Sequence, residues 1–173
     1  MRKHLKAAIK RGIEAAVVAS VPQVLIPKLE ERLFLPDHEH ADLGPRFIER
    51  VADVVERPLP EDMKWLGASA FHFGYATFWG ALYALAYEKK PVSPWLGGLT
   101  LAALIHNLTF PAWGAAVLSG SEPHPRERTW RYEAVLATAP LVFGLGTALL
   151  YGRGPKRTLA EKIRGAWRLR RSS

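Results

Sequence analysis

The stretch from Trp65 to Tyr87, WLGASAFHFGYATFWGALYALAY, decides the fold. It contains no Asp, Glu, Lys or Arg, and as a helix it would extend roughly 33 Å at 1.5 Å per residue, about the thickness of a bilayer's hydrocarbon layer. Uncharged tracts of the same kind follow at Pro91–Ser121 and Ala134–Gly152. Aromatic residues mark their ends, Trp65 and Tyr87, Trp95 and Trp113, Trp130 and Tyr151, as expected of rings that favour the headgroup boundary. Spans are therefore predicted over 65–87, 94–115 and 130–151. Backbone in lipid must satisfy its own hydrogen bonds, so the expected fold is all-α, a polytopic membrane helical bundle.

Bulk composition conceals this segregation. The 173-residue chain has a mean hydropathy near zero and a net charge of +8, which alone would suit one soluble domain. It has no cysteine, which excludes disulfides, thiolate chemistry and cysteine-based metal sites.

The charges set the orientation. Residues 1–12, the loop from Glu88 to Pro94 and everything after Tyr151 hold 15 of the 24 Lys and Arg but only Glu88 and Glu161 of the 16 acidic residues. By the positive-inside rule this set is cytoplasmic. A basic nucleic-acid-binding protein has no reason to sort its charge along the sequence in this way, so no nucleic-acid partner is expected. With three later spans and an inner C-terminus, the basic N-terminus needs one further crossing. That crossing is predicted at about 8–27, although its uncharged run, Ala15–Pro27, is short and contains Pro22. A cleaved signal peptide is the competing reading, and Glu14 interrupts the apolar region it requires. Both termini of the four-helix bundle, residues 1–152, are then cytoplasmic.

The outer polar segment, 28–64, carries Phe47, Ile48, Val51, Val54 and Val55 at helical spacing opposite Glu49, Arg50, Asp53 and Glu56, which predicts an outer amphipathic helix ended by Pro58 and Pro60. The basic tail, 153–173, repeats the idea with Leu159, Ile163, Ala166 and Trp167 among Lys162, Arg164, Arg168, Arg170 and Arg171, after a capping box from Thr158 to Glu161. It reads as an ordinary positive-inside tail, with binding to anionic lipids of the inner leaflet as the alternative.

Small residues recur four apart at Ala76, Gly80 and Ala84 and again at Gly144, Ala148 and Gly152, a spacing that lets membrane helices approach closely, within one bundle or between the subunits of a homo-oligomer. Trp79-Gly80 and Gly144-x-Gly146 are read as packing elements. The spacing of His72, Tyr83, Glu88 and Pro91, together with His106-Asn-Leu-Thr-Phe-Pro111-Ala-Trp-Gly114 and the pair Gly97 and Gly98, resembles the second and third spans of the YagU-like bacterial inner-membrane proteins. The likeness covers Phe71 to about Gly114 and, loosely, Gly12–Pro27. At the fourth span the family's Ser-Glu and Gly-His elements are not reproduced, and Glu133 stands where the former would be. The resemblance implies a multi-pass inner-membrane protein from a family without an established biochemical activity.

Ionisable side chains inside a bilayer are costly and mark candidate sites. His72 lies seven residues inside Trp65 and His106 seven inside Trp113, which predicts one depth for both imidazoles, with Glu133 just above them. Histidines under a carboxylate can pass protons or hold a metal such as zinc; otherwise each donates one hydrogen bond between helices. Tyr75, Tyr83, Asn107 and Thr109 add polar groups, and Glu14 suits an ion pair with Lys10 or Arg11. Asp37-His38-Glu39-His40 is a looser metal candidate on a loop. No HExxH, GxSxG or phosphate-binding glycine loop is present. The expectation is a non-enzymatic accessory or scaffold bundle without a cofactor, with the bilayer, a second copy or another membrane protein as partner. The alternative is a proton, metal or small-solute conduit through His72 and His106.

Overall fold

The computed structural model describes residues 2–36, 43–56 and 59–152, and among these every regular element is helical. The basic tail, the Asp37–His40 motif and Pro58 lie outside the described residues. Helix α1 covers Arg2–Phe34, well beyond the predicted 8–27 at both ends, and passes through Pro22 and Pro27 without ending. A proline removes one backbone donor, and neighbouring helices make that tolerable. Seven residues assigned by sequence to the outer polar segment, 28–34, thus continue the first helix. Helix α2, Leu43–Val54, is the predicted amphipathic helix.

Helix α3 covers Glu61–Lys89 and contains the whole 65–87 tract. Glu61 and Asp62 occupy its first turn and Lys89 its last, each matched to the sign of the helix dipole there. Helix α4, Pro94–Thr109, begins on Ser93, whose hydroxyl accepts from Leu96 N at 3.2 Å, with Pro94 in the first turn. It stops six residues before the predicted 115. Pro111 has no N–H to continue the ladder, the chain turns through Phe110–Gly114, and a short helix α5, Ala115–Leu118, follows. A single 3-10 turn at Pro125–Glu127 precedes α6, Trp130–Gly152.

Helix α1 packs along both α3 and α6, and α6 packs along α4. Each closest approach is made by small residues. An ideal Cβ at Gly12 would overlap the Gly80 carbonyl oxygen and stand 2.7 Å from Ala84 Cβ, and one at Gly98 would stand 2.9 Å from Leu145 Cα. Gly146 meets Ala19, and Gly152 meets Pro94. The two rows of small residues are therefore contacts within one chain, between α1 and α3 and between α4 and α6. The backbones of α3 and α4 stand further apart, and Trp79, Tyr83, Leu101 and Ile105 fill the space between them.

The helix ends sort into two groups. At one end His4 and Arg11 of α1 and Tyr151 of α6 converge on Glu88 of α3, beside the start of α4. At the other, Leu35, Phe110, Ala116, Tyr132 and Leu136 pack together with Leu43 of α2. Among the described residues two helices, Lys3–Phe34 and Trp130–Gly152, are long and apolar enough to cross a membrane.

Candidate functional site

His72 on α3 faces α1, where its Nε2 lies 3.3 Å from the Ser20 carbonyl oxygen. His106 on α4 stacks at an angle on Phe110, one turn later, and its buried Nδ1 has no hydrogen-bond partner. Among the described residues no hydrogen bond or ring contact joins the two histidines. The level of the helices explains why. Tyr75 on α3 and Thr109 on α4 meet through their hydroxyls at 3.3 Å; His72 is three residues outward of Tyr75 and His106 three residues inward of Thr109. At 1.5 Å per residue the imidazoles are offset by about 9 Å along the bundle. The expectation of a common depth is corrected on this point. It counted helical rise inward from Trp113, but Trp113 sits on the turn beyond the end of α4.

Glu133, in the first turn of α6, is 3.0 Å from Arg128 Nη1. The Arg128 side chain is 1% exposed and donates to the Phe110 carbonyl at 3.1 Å and the Pro123 carbonyl at 2.9 Å. It places a cation on the C-terminus of α4 and on a carboxylate at the N-terminus of α6, both favoured by the helix dipoles. Asn107 is exposed and returns its amide to Ala103 O at 2.8 Å on its own helix. Glu14 is exposed and 3.7 Å from Lys10, while Arg11 turns away to Glu88. Among the described residues no three His, Asp or Glu side chains gather as a metal site.

Two polar clusters went unrecognised in the sequence. At the basic end Glu88 accepts from the Tyr151 hydroxyl at 2.8 Å, lies 3.5 Å from Arg11 and 3.6 Å from His4, and the Arg11 guanidinium rests over the Tyr151 ring. Tyr151 is thus a buried anchor rather than a residue of an aromatic belt. The available signal was Glu88 itself, one of two carboxylates on a side otherwise basic. At the far end Glu122, 4% exposed, accepts from the Tyr132 hydroxyl at 2.8 Å, and its second oxygen has no partner. Burial pushes its carboxyl above the usual range, against the Tyr132 hydrogen bond and the nearby Arg128 and Arg46 charges. Nothing in the local sequence, Ser119-Gly-Ser-Glu122, announces this.

Tyr83 is 7% exposed, and its hydroxyl oxygen lies 2.7 Å from where a Cβ of Gly97 would stand. It has no hydrogen-bond partner, and neither do Trp79 Nε1 and Thr147 Oγ1, on residues 5% and 0% exposed. The interior between α3, α4 and α6 thus holds polar atoms that the protein leaves unpaired. No family model, curated protein or solved structure matches the chain.

Proposed function

We propose that the chain is a four-span protein of the bacterial inner membrane, both termini cytoplasmic, acting as a non-enzymatic accessory or scaffold bundle. The observation that carries this is the inversion of side-chain size across α1, joined by a band of large apolar side chains turned out on α4. Helix α1 buries Ala8, Ala15, Ala16 and Ala19 and turns Val18, Val21, Leu25, Leu29 and Leu33 outward; α4 buries Gly97, Gly98 and Ala102 together with Leu101 and Ile105, and turns out Leu96, Leu99, Leu104 and Leu108. In water the large side chains would be the buried ones, and an exposed apolar surface this continuous is rare on a soluble monomer. In lipid, close packing of small residues is the driving force for association and large side chains face the tails. Trp65, Trp95, Trp113 and Trp130, each more than half exposed, suit the two headgroup boundaries.

A scaffold role is supported by how the intramembrane polar groups are used. His72 ties α3 to the α1 backbone, Tyr75 ties α3 to α4, and Glu133 with Arg128 ties α4 to α6. Kinship with the YagU-like proteins belongs to this proposal and rests on the residue spacings alone.

The absence of native cysteine makes the test direct. Single Asp53→Cys on α2 and Lys90→Cys after α3, both at exposed positions, are labelled with a membrane-impermeant maleimide. Asp53→Cys should react in intact spheroplasts and Lys90→Cys only after permeabilisation, with both proteins resisting extraction by alkaline carbonate. Release by carbonate, or labelling of Lys90→Cys in intact spheroplasts, refutes the assignment.

A further inference from the structure

Four of the unpaired buried polar atoms, on Trp79, Tyr83, His106 and Thr147, follow one seam. Tyr151 hands its hydroxyl to Glu88, which is 26% exposed at the basic end. The Tyr83 ring meets the Tyr151 ring edge-on at 5.6 Å, and its hydroxyl reaches the first turn of α4 at Gly97. Thr147 lies one turn from Tyr151 on α6 and two residues inward of Leu145, whose Cα faces Gly98 of that same turn. Tyr83 therefore reaches the start of α4 from α3, and Thr147, fully buried, lies level with that start on α6. Trp79 is one turn further along α3, His106 presents its bare Nδ1 on α4, and the Tyr75–Thr109 contact closes the series. From Gly97 to Thr109 the seam follows α4 for roughly 18 Å.

Buried polar groups are normally paired, and an unpaired one in an apolar interior costs free energy. Four on one seam, with both donors and acceptors among them, are matched by a single small species that does both, which is water. We infer that the seam between α3, α4 and α6 holds a file of water molecules and passes protons between Glu88 and the Tyr75–Thr109 end, a proton-conducting function separate from the scaffold role. Each hydroxyl and each water takes one proton and releases another, so no group changes its net charge over a cycle. His106 accepts at Nδ1 and releases from Nε2, returning to its tautomer as its ring reorients. Trp79 donates only and anchors a water without relaying. His72 lies off this path, held by the Ser20 carbonyl.

The inference rests on the membrane placement proposed above. The full chain is reconstituted in phosphatidylethanolamine and phosphatidylglycerol vesicles containing a pH-sensitive dye, and a potassium diffusion potential drives proton entry. Wild-type vesicles should acidify faster than protein-free ones. Tyr83→Phe and Thr147→Val preserve shape and remove a hydroxyl; each should slow the protein-dependent rate about tenfold, equivalent to about 1.4 kcal/mol on the barrier. His106→Phe should do the same, and His72→Ala should leave the rate unchanged. Helical content and the thermal transition of each variant are followed by circular dichroism, so a rate is compared only between folded proteins. Protein that fails to enter the vesicles overturns the membrane placement. Inserted, folded wild type with only the protein-free rate, or Tyr83→Phe with the wild-type rate, overturns the proton path alone.

Discussion

Gly80 and Gly74 lie six residues apart on α3 and carry opposite consequences. A Cβ at Gly80 would stand 2.6 Å from Ala16 Cβ and overlap the Gly12 carbonyl, whereas nothing lies within 4 Å of one at Gly74. Gly80→Val should therefore force α1 and α3 apart and cost about 1–3 kcal/mol. Gly74→Ala should leave stability unchanged or raise it by up to about 1 kcal/mol through helix propensity. Denaturation by SDS in mixed micelles reads both; equal behaviour of the two variants would remove the argument for a close α1–α3 crossing. At this scale the sequence was half legible. The Ala76, Gly80, Ala84 row says that a backbone comes near, but spacing on one helix cannot say which. Gly12 and Ala16 were identified as the partners only by the fold. His72 and His106 show the complementary limit: depth counted from flanking tryptophans fails when one tryptophan, Trp113, has left the helix.

The elements at the acidic end form a cap whose stability depends on pH. Phe47 of α2 lies against Phe71 of α3 at 4.5 Å, Lys64 of α3 reaches Glu49 of α2 at 2.9 Å, and Arg50 of α2 donates to Gly120 O at 3.4 Å beside Glu122. The Lys64 hydrogen bond and charge hold the Glu49 carboxyl below its ordinary range; that contribution is present above pH 4.5 and is lost as pH falls through the lowered value. Glu122 has the opposite sign. Its folded pKa is raised above 4.5, so the ionised form opposes folding, and stability is gained as pH falls from above the raised value toward 4.5. The thermal transition of wild type minus that of Glu122→Gln, measured in detergent across this window, should therefore become more favourable to wild type on acidification. A difference independent of pH would show that Glu122 does not titrate with the cap. The amphipathic period of α2 was legible because a solvent-facing helix obeys one rule. The end of α4 was not, because Phe110–Ala116 remains apolar and hydropathy does not register the donor missing at Pro111.

For the whole molecule, the sequence's charge asymmetry becomes a property of the bundle's two ends, and at the basic end one carboxylate holds three helices. Glu88 receives Arg11 from α1 at 3.5 Å and the Tyr151 hydroxyl from α6 at 2.8 Å while standing on α3. The Arg11 side chain is 35% exposed and its Nε is buried without a hydrogen-bond partner, so the guanidinium depends on Glu88 more than a surface ion pair would. Glu88→Gln keeps an acceptor for Tyr151 and removes the charge; it should cost about 1 kcal/mol, the upper range of an exposed pair. Glu88→Ala removes the acceptor as well, strands the Tyr151 hydroxyl and leaves the half-buried cation alone, and should cost about 2–3 kcal/mol. The order of the two variants is the discriminating result, because loss of simple surface charge would affect them equally. A double-mutant cycle with Arg11→Gln completes the argument: coupling near zero would mean that the three helices are held at this end by Gly12, Gly80, Gly152 and their neighbours, with Glu88 a bystander to that packing.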